Sequence, residues 1–316
     1  MASLRGALAG IGEPGGDGTI PAYPSGFATT PRSLRQAMDA MGHPQPASWT
    51  LPVEANIDED WTQNCQGAAF GGGHWFMPTN GSWFGFGDVT PRAIFKLAGS
   101  RVVGTFEVHD YEASHLGDLD YVDGQLFAAL EGSPKSPHGP AVLIVDEGFQ
   151  FSQIIPLLGQ DGGVPPHTDM PWCAVHPWNG LLYSSSFDGV SKVRAYEAAD
   201  DGFRHVPTQD IPLSHPIDRV QGGDFSAGGH LYLASDVYVE GKYKAVHVYS
   251  ALNGAYRGWI RVLAEEDSQE LEGLCFAPMT IGGTHVDLHV VLLDQIDLEK
   301  DDIFFKHYAA ADPGHV

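Results

Sequence analysis

The sequence predicts an all-β chain folded as a β-propeller, and three observations carry the prediction. The first is a sentence of small residues, glycine turn and alternating strand that recurs five times. It reads NCQGAAF (64–70) into GGGHWFM (71–77), HLGDLDY (115–121) into DGQLFAA (123–129), and PWCAVH (171–176) into NGLLYSS (179–185). It returns as QGGDF (221–225) into HLYLAS (230–235), and as ELEGLCF (270–276) into GGTHVDLHVV (282–291). The second is the period. Anchored on Gly67, Gly117, Cys173, Gly222 and Gly273, the repeats lie 50, 56, 49 and 51 residues apart, which suits a four-stranded propeller blade. The third is the small residues that open each first strand, as expected where innermost strands crowd around an axis. The expected architecture is five four-stranded blades.

Composition agrees. The 39 Gly and 22 Pro fit many short strands and tight turns rather than long helices, and 43% apolar residues are enough for a substantial core. Residues 1–47 read as an N-terminal arm and one short helix packed on the body. Thr30 caps that helix, Pro31 opens it, Leu34, Ala37, Met38 and Met41 form its apolar stripe, and Gly42 and Pro44 stop it. Residues 48–316 read as a single propeller domain. Third strands are legible at 141–146, 192–196, 244–249 and 302–308, and outer strands at 101–107 and 256–262. The last repeat lacks an outer strand. The segment 49–53 is expected to supply it, closing the ring and removing exposed edges.

The formal charge of −23 argues against nucleic acid and anionic membrane as partners, since both need a basic face. A small-molecule substrate is the partner that remains. Cys65, Cys173 and Cys275 are an odd set on predicted inner strands and read as reduced core residues. The only early apolar run, 7–11, is too short for a secretory or membrane-spanning segment, which gives a cytoplasmic expectation.

In a propeller the segments entering the inner strands gather at one mouth. Asp58, Asp60, His109, His167, His215, Glu265 and Glu266 stand six to nine residues before the anchors, and Gln66, His115, Asp118, Trp172, Gln221, Asp224, Glu270 and Glu272 stand beside them. Imidazoles with carboxylates suit either a divalent metal or acid–base catalysis. His–Pro pairs are also ordinary turn punctuation, and the chain has no CxxC, HxExxH or DxDxDG motif. The expected catalytic set is His115, His167, His215, Glu272 and Asp118. Gln66, Trp172, Gln221 and His109 are expected to bind substrate. His115, His167, His215 and Glu272 are expected to ligate one divalent ion, with calcium, zinc and iron all open.

Leu271-Glu-Gly-Leu-Cys-Phe276 and His115-Leu-Gly-Asp-Leu-Asp-Tyr121 resemble the blade grammar of a loose propeller superfamily. It includes NHL-type repeats, gluconolactonase- and paraoxonase-like calcium enzymes, and esterase-like phytases. The resemblance implies that Glu272 faces the channel. The sequence departs from it in showing five repeats rather than six. The leading expectation is an enzyme with one asymmetric site, hydrolysing an ester or lactone, with a lyase, isomerase or cyclase as the alternative. A non-catalytic, lectin-like or scaffold propeller is a third reading. It would repeat its ligand residues in every blade, whereas Gln66, Leu116, Trp172, Gln221 and Glu272 differ.

Overall fold

The computed structural model describes residues 49–81, 91–109, 114–131, 139–264, 268–281, 283–294 and 301–310. The whole N-terminal arm, 1–47, with its predicted helix, lies outside them, as do Glu265 and Glu266. Among the described residues the chain is all β apart from one 3₁₀ turn at Pro207–Gln209, and no helix is long and apolar enough to cross a membrane.

Each sequence repeat forms an antiparallel meander. The first is β2 (Ala69–Gly71), β3 (His74–Thr79), β4 (Ala93–Ala98) and β5 (Arg101–Glu107). The second is β6 (His115–Val122), β7 (Gln125–Glu131), β8 (Ala141–Asp146) and β9 (Ser152–Leu158). The third is β10 (Ala174–Val175), β11 (Leu182–Ser184), β12 (Val190–Ala199), β13 (Gly202–His205) and β14 (Ile211–Ile217). The fourth is β15 (Val220–Phe225), β16 (His230–Glu240), β17 (Tyr243–Ser250) and β18 (Tyr256–Leu263). The fifth is β19 (Gln269–Ile281), β20 (Thr284–Asp294) and β21 (Asp302–Ala310), completed by β1 (Trp49–Ile57).

That last pairing is the predicted closure. β1 runs antiparallel to β21 from Trp49 opposite Ala310 to Ile57 opposite Ile303. The ladder slips between Thr50 and Val53, where Pro52 has no N–H to give it. The hairpin turns follow their sequences too. Gly72 and Gly73 have φ of 55° and 79°, and Asp123 and Gly124 have 47° and 83°, the left-handed pair that a two-residue hairpin with right-handed strand twist requires.

The third meander departs from regularity because its outer strand is split. β13 pairs with the second half of β12 and β14 with the first half, while β13 also pairs in parallel with β9 of the preceding meander. Asp210 fills the break, its Oδ1 accepting the Ala195 N–H at 3.1 Å.

The apolar core is likewise cyclic. Alternate residues of each strand face a neighbouring sheet, so Ile94 of the first meander packs with Leu126 of the second, and Phe127 of the second with Leu182 of the third. Tyr183 of the third packs with Leu233 of the fourth, and Val246 of the fourth with Val290 and Leu292 of the fifth. Met77 and Phe95 of the first meander pack with Leu293 and Phe305 of the fifth, so the last sheet buries its face against the first. Each fully buried Leu, Ile or Phe contributes roughly 1.5–3 kcal/mol of burial. The inner strands touch in the cycle β2, β6, β10, β15, β19 and back to β2.

Candidate functional site at the propeller mouth

Three inner strands carry a β-bulge at the repeat anchor. The ladders slip between Leu116 and Leu119, between Val220 and Gly222, and between Leu271 and Leu274. A bulge adds a residue to one strand and re-aims its side chain. The residues re-aimed are Asp118 beside Gly117, Gln221 before Gly222, and Glu272 before Gly273.

At this level the backbones meet too closely for side chains. A Cβ on Gly273 would lie 2.5 Å from Gly67 Cα, and one on Gly222 2.6 Å from Gly273 Cα. Asp118 fills what space is left. Its carboxylate accepts N–H groups from Leu119 at 2.9 Å and Leu274 at 3.2 Å, and a third from Ala68. One side chain thereby ties β6, β19 and the segment entering β2, and the axis is closed there.

Glu270 and Glu272 stand two apart on β19 and so share a face, while Leu271 points the other way into the core. Glu272 is 1% exposed, and its Oε2 has no N–H or O–H donor. The two carboxyls lie close enough that each alters the other's proton affinity. Burial above all, then the charges of Glu270 and Asp236, hold the Glu272 carboxyl well above the usual range. Burial raises Glu270 as well, but less, so Glu272 holds its proton more tightly than Glu270, which is half-buried beside Arg219.

The cations that balance the pair come from the fourth meander. Arg219 lies 2.7 Å from Asp236 Oδ2 and 3.6 Å from Glu270 Oε1. Asp236 Oδ1 accepts from Lys244 Nζ and, at 2.8 Å, from the Leu271 N–H that opens β19. With Glu272 protonated, two carboxylates face two cations and the cluster is neutral. Ionising Glu272 would leave one negative charge unmatched in a buried place, which is why the proton stays.

The other expected residues are placed as follows. Gln66 is buried, and its amide donates to Asn64 Oδ1 at 2.7 Å, while the Asn64 N–H donates to Asp301 Oδ2 at 2.7 Å. Gln221 is half-buried on its bulge. His115 opens β6 with Nδ1 3.9 Å from Glu131 Oε2, and burial, helped by the nearby Arg92 charge, lowers its pKa to about 4. Trp172 offers no stacking face: it is fully buried against Gly223, with its N–H donated to Ser185 Oγ at 2.9 Å.

The expected histidines do not converge. His167 packs on Tyr196 of the third meander. His215 sits within β14 because the split outer strand reaches that far, and its exposed ring stacks on Tyr256 at 4.7 Å. His109 is exposed two residues past the end of β5. Among the described residues no group of three or more His, Cys, Asp or Glu could hold a metal ion. The expected ligand set of His115, His167, His215 and Glu272 is not brought together in one such group.

The sequence reading gives no functional role to Arg219, Asp236 or Lys244. A signal existed for Lys244, the one cation in a β17 that is otherwise apolar but for His247 and the ends. A lysine in such a strand needs an anionic partner.

No protein-family model matches the chain, and no curated protein matches it. Solved structures do. Glutaminyl cyclase from Myxococcus xanthus is 13% identical over 84% of this chain and 98% of its own, with a TM-score of 0.53. The GH43_1 enzyme from Xanthomonas citri, solved with xylose, is 11% identical over 89% of this chain and 95% of its own, with a TM-score of 0.51. The tail fibre of Staphylococcus aureus phage P68 is 13% identical over 87% of this chain but only 56% of its own, with a TM-score of 0.50. At such identities the likeness is one of fold, and the fold is a β-propeller.

Proposed function

We propose that this chain is a small-molecule enzyme of the acyl-transfer class, working by proton transfer through Glu272 and Glu270. The observation that carries the reading is the neighbouring carboxyl pair on β19, with Glu272 buried and its Oε2 unpartnered and Glu270 held beside Arg219. Environments that push two like groups apart assign an acid and a base. Glu270 takes the proton of the attacking nucleophile, Glu272 gives its own to the leaving group, and the proton on Glu270 returns to Glu272. The nucleophile is water for an ester or lactone, or the substrate's own amine for a cyclisation.

Kinship with the lactonase-like propellers belongs to the same proposal and rests on the position of Glu272. The test offers the protein lactones, aryl esters and peptides with N-terminal glutamine, reading acid and ammonia release. Glu272→Gln is expected to lower kcat/KM by about 10²–10⁴ with little change in melting temperature. Inertness toward all three classes, or a fully active Glu272→Gln, overturns the reading.

A further inference from the structure

The third meander carries a second titratable cluster. Lys192, Arg194 and Tyr196 lie two apart on one face of β12. Asp210, in the break between β13 and β14, accepts from His205 Nε2 at 2.9 Å and Arg194 at 3.1 Å, with Lys192 Nζ at 3.6 Å. One carboxylate thus meets two permanent cations and an imidazole N–H. Asp210 with its three partners is positive by one, and the Asp169 carboxylate on the His167 side offsets it.

His167 reaches this face from the segment before β10. Its Nδ1 lies 2.5 Å from Asp169 O, and a carbonyl only accepts, so Nδ1 carries the hydrogen and Nε2 is a bare lone pair. That Nε2 is buried without a partner, and so is the Tyr196 hydroxyl, with the two rings 5.9 Å apart. Burial lowers the His167 pKa; the nearby Arg194 and His205 lower it further, and Asp169 opposes them. Buried polar groups left unpaired are costly, so two of them side by side call for a ligand between them. A water could pair these two groups alone. An anion also accepts from Arg194 and Lys192, besides the Tyr196 O–H, and from His167 once that ring takes up a proton.

We propose that Lys192, Arg194, Tyr196 and His167 form a binding site for a small oxyanion, a phosphate, sulfate or carboxylate group. Charge-assisted bonds from a guanidinium suit all three. The inference is independent of the acyl-transfer reading, since none of its residues touches Glu270 or Glu272.

The test is calorimetric titration of the whole chain with inorganic phosphate, sulfate and acetate, with the His167 ring nitrogens followed by NMR. Saturable binding of at least one anion is expected, with His167 Nε2 shifting toward its protonated signal. Preference for phosphate and sulfate over acetate assigns a tetrahedral group, and the reverse assigns a carboxylate. Tyr196→Phe removes only an orphan hydroxyl, so it should fold at least as well yet bind about tenfold more weakly. His167→Gln should weaken binding likewise. No saturable binding at millimolar concentration, or binding unchanged in both variants, overturns the proposal.

Discussion

Asp118 and Glu272 begin alike. Each neighbours a glycine anchor on a bulged inner strand, each is 1% exposed, and burial is the first cause raising each pKa. They differ in their donors. Asp118 is filled by three backbone amides and has become part of the propeller's wiring. Glu272 Oε2 finds none, and the neighbouring charges of Glu270 and Asp236 raise its pKa further. Burial makes a carboxyl costly to ionise, and the donors around it decide whether it becomes a structural link or a proton store.

The largest expected effect follows from breaking the link. Asp118→Ala would orphan three buried N–H groups and lower the unfolding free energy by about 3 kcal/mol or more, read by urea denaturation. A wild-type midpoint would erase the distinction. Glu272→Gln should do the reverse, losing activity while its unfolding free energy stays within about 1 kcal/mol of wild type.

A buried imidazole pair extends the comparison to groups that ionise by gaining charge. His289 Nε2 lies 2.8 Å from Ala277 O and its Nδ1 2.7 Å from His307 Nδ1. Its partners are satisfied while the ring is neutral, and burial lowers its pKa from 6.5 to about 4. Above pH 6.5 neither state binds the extra proton. As pH falls from 6.5 to 4 the unfolded chain binds it and the folded chain does not, so stability is lost across that window. The loss from this ring is at most about 3 kcal/mol. His289→Gln should flatten the urea midpoint against pH over the same range, and an unchanged slope would count against it.

The smallest effect is a silence. Burial pushes the Cys65 thiol up to about 12, and Cys173 and Cys275 also rise. Iodoacetamide at mild alkaline pH should label none of the three until urea is added.

Much of the architecture was legible. The strands read at 101–107 and 141–146 coincide with β5 and β8, and the segment at 49–53 does close onto β21 as the start of the longer β1. Glu272 stands out in the sequence by its place beside an anchor, and it is central to the candidate site. The histidines misled because distance before an anchor says nothing about direction. His215 lies on an outer strand split by Asp210, and His167 turns to Tyr196 between two meanders.

By itself the sequence determined the repeat, the meanders, the turns and the small residues at the axis. These depend on local alternation and on backbone conformations that few residues adopt. Only the tertiary structure decided what each polar group does. Arg219, Asp236, Lys244 and Glu270 come from two meanders and different depths along their strands, and loop lengths and bulges set which of them meet. A carboxyl's role follows from the donors and charges within reach, and those are brought together only when the ring closes.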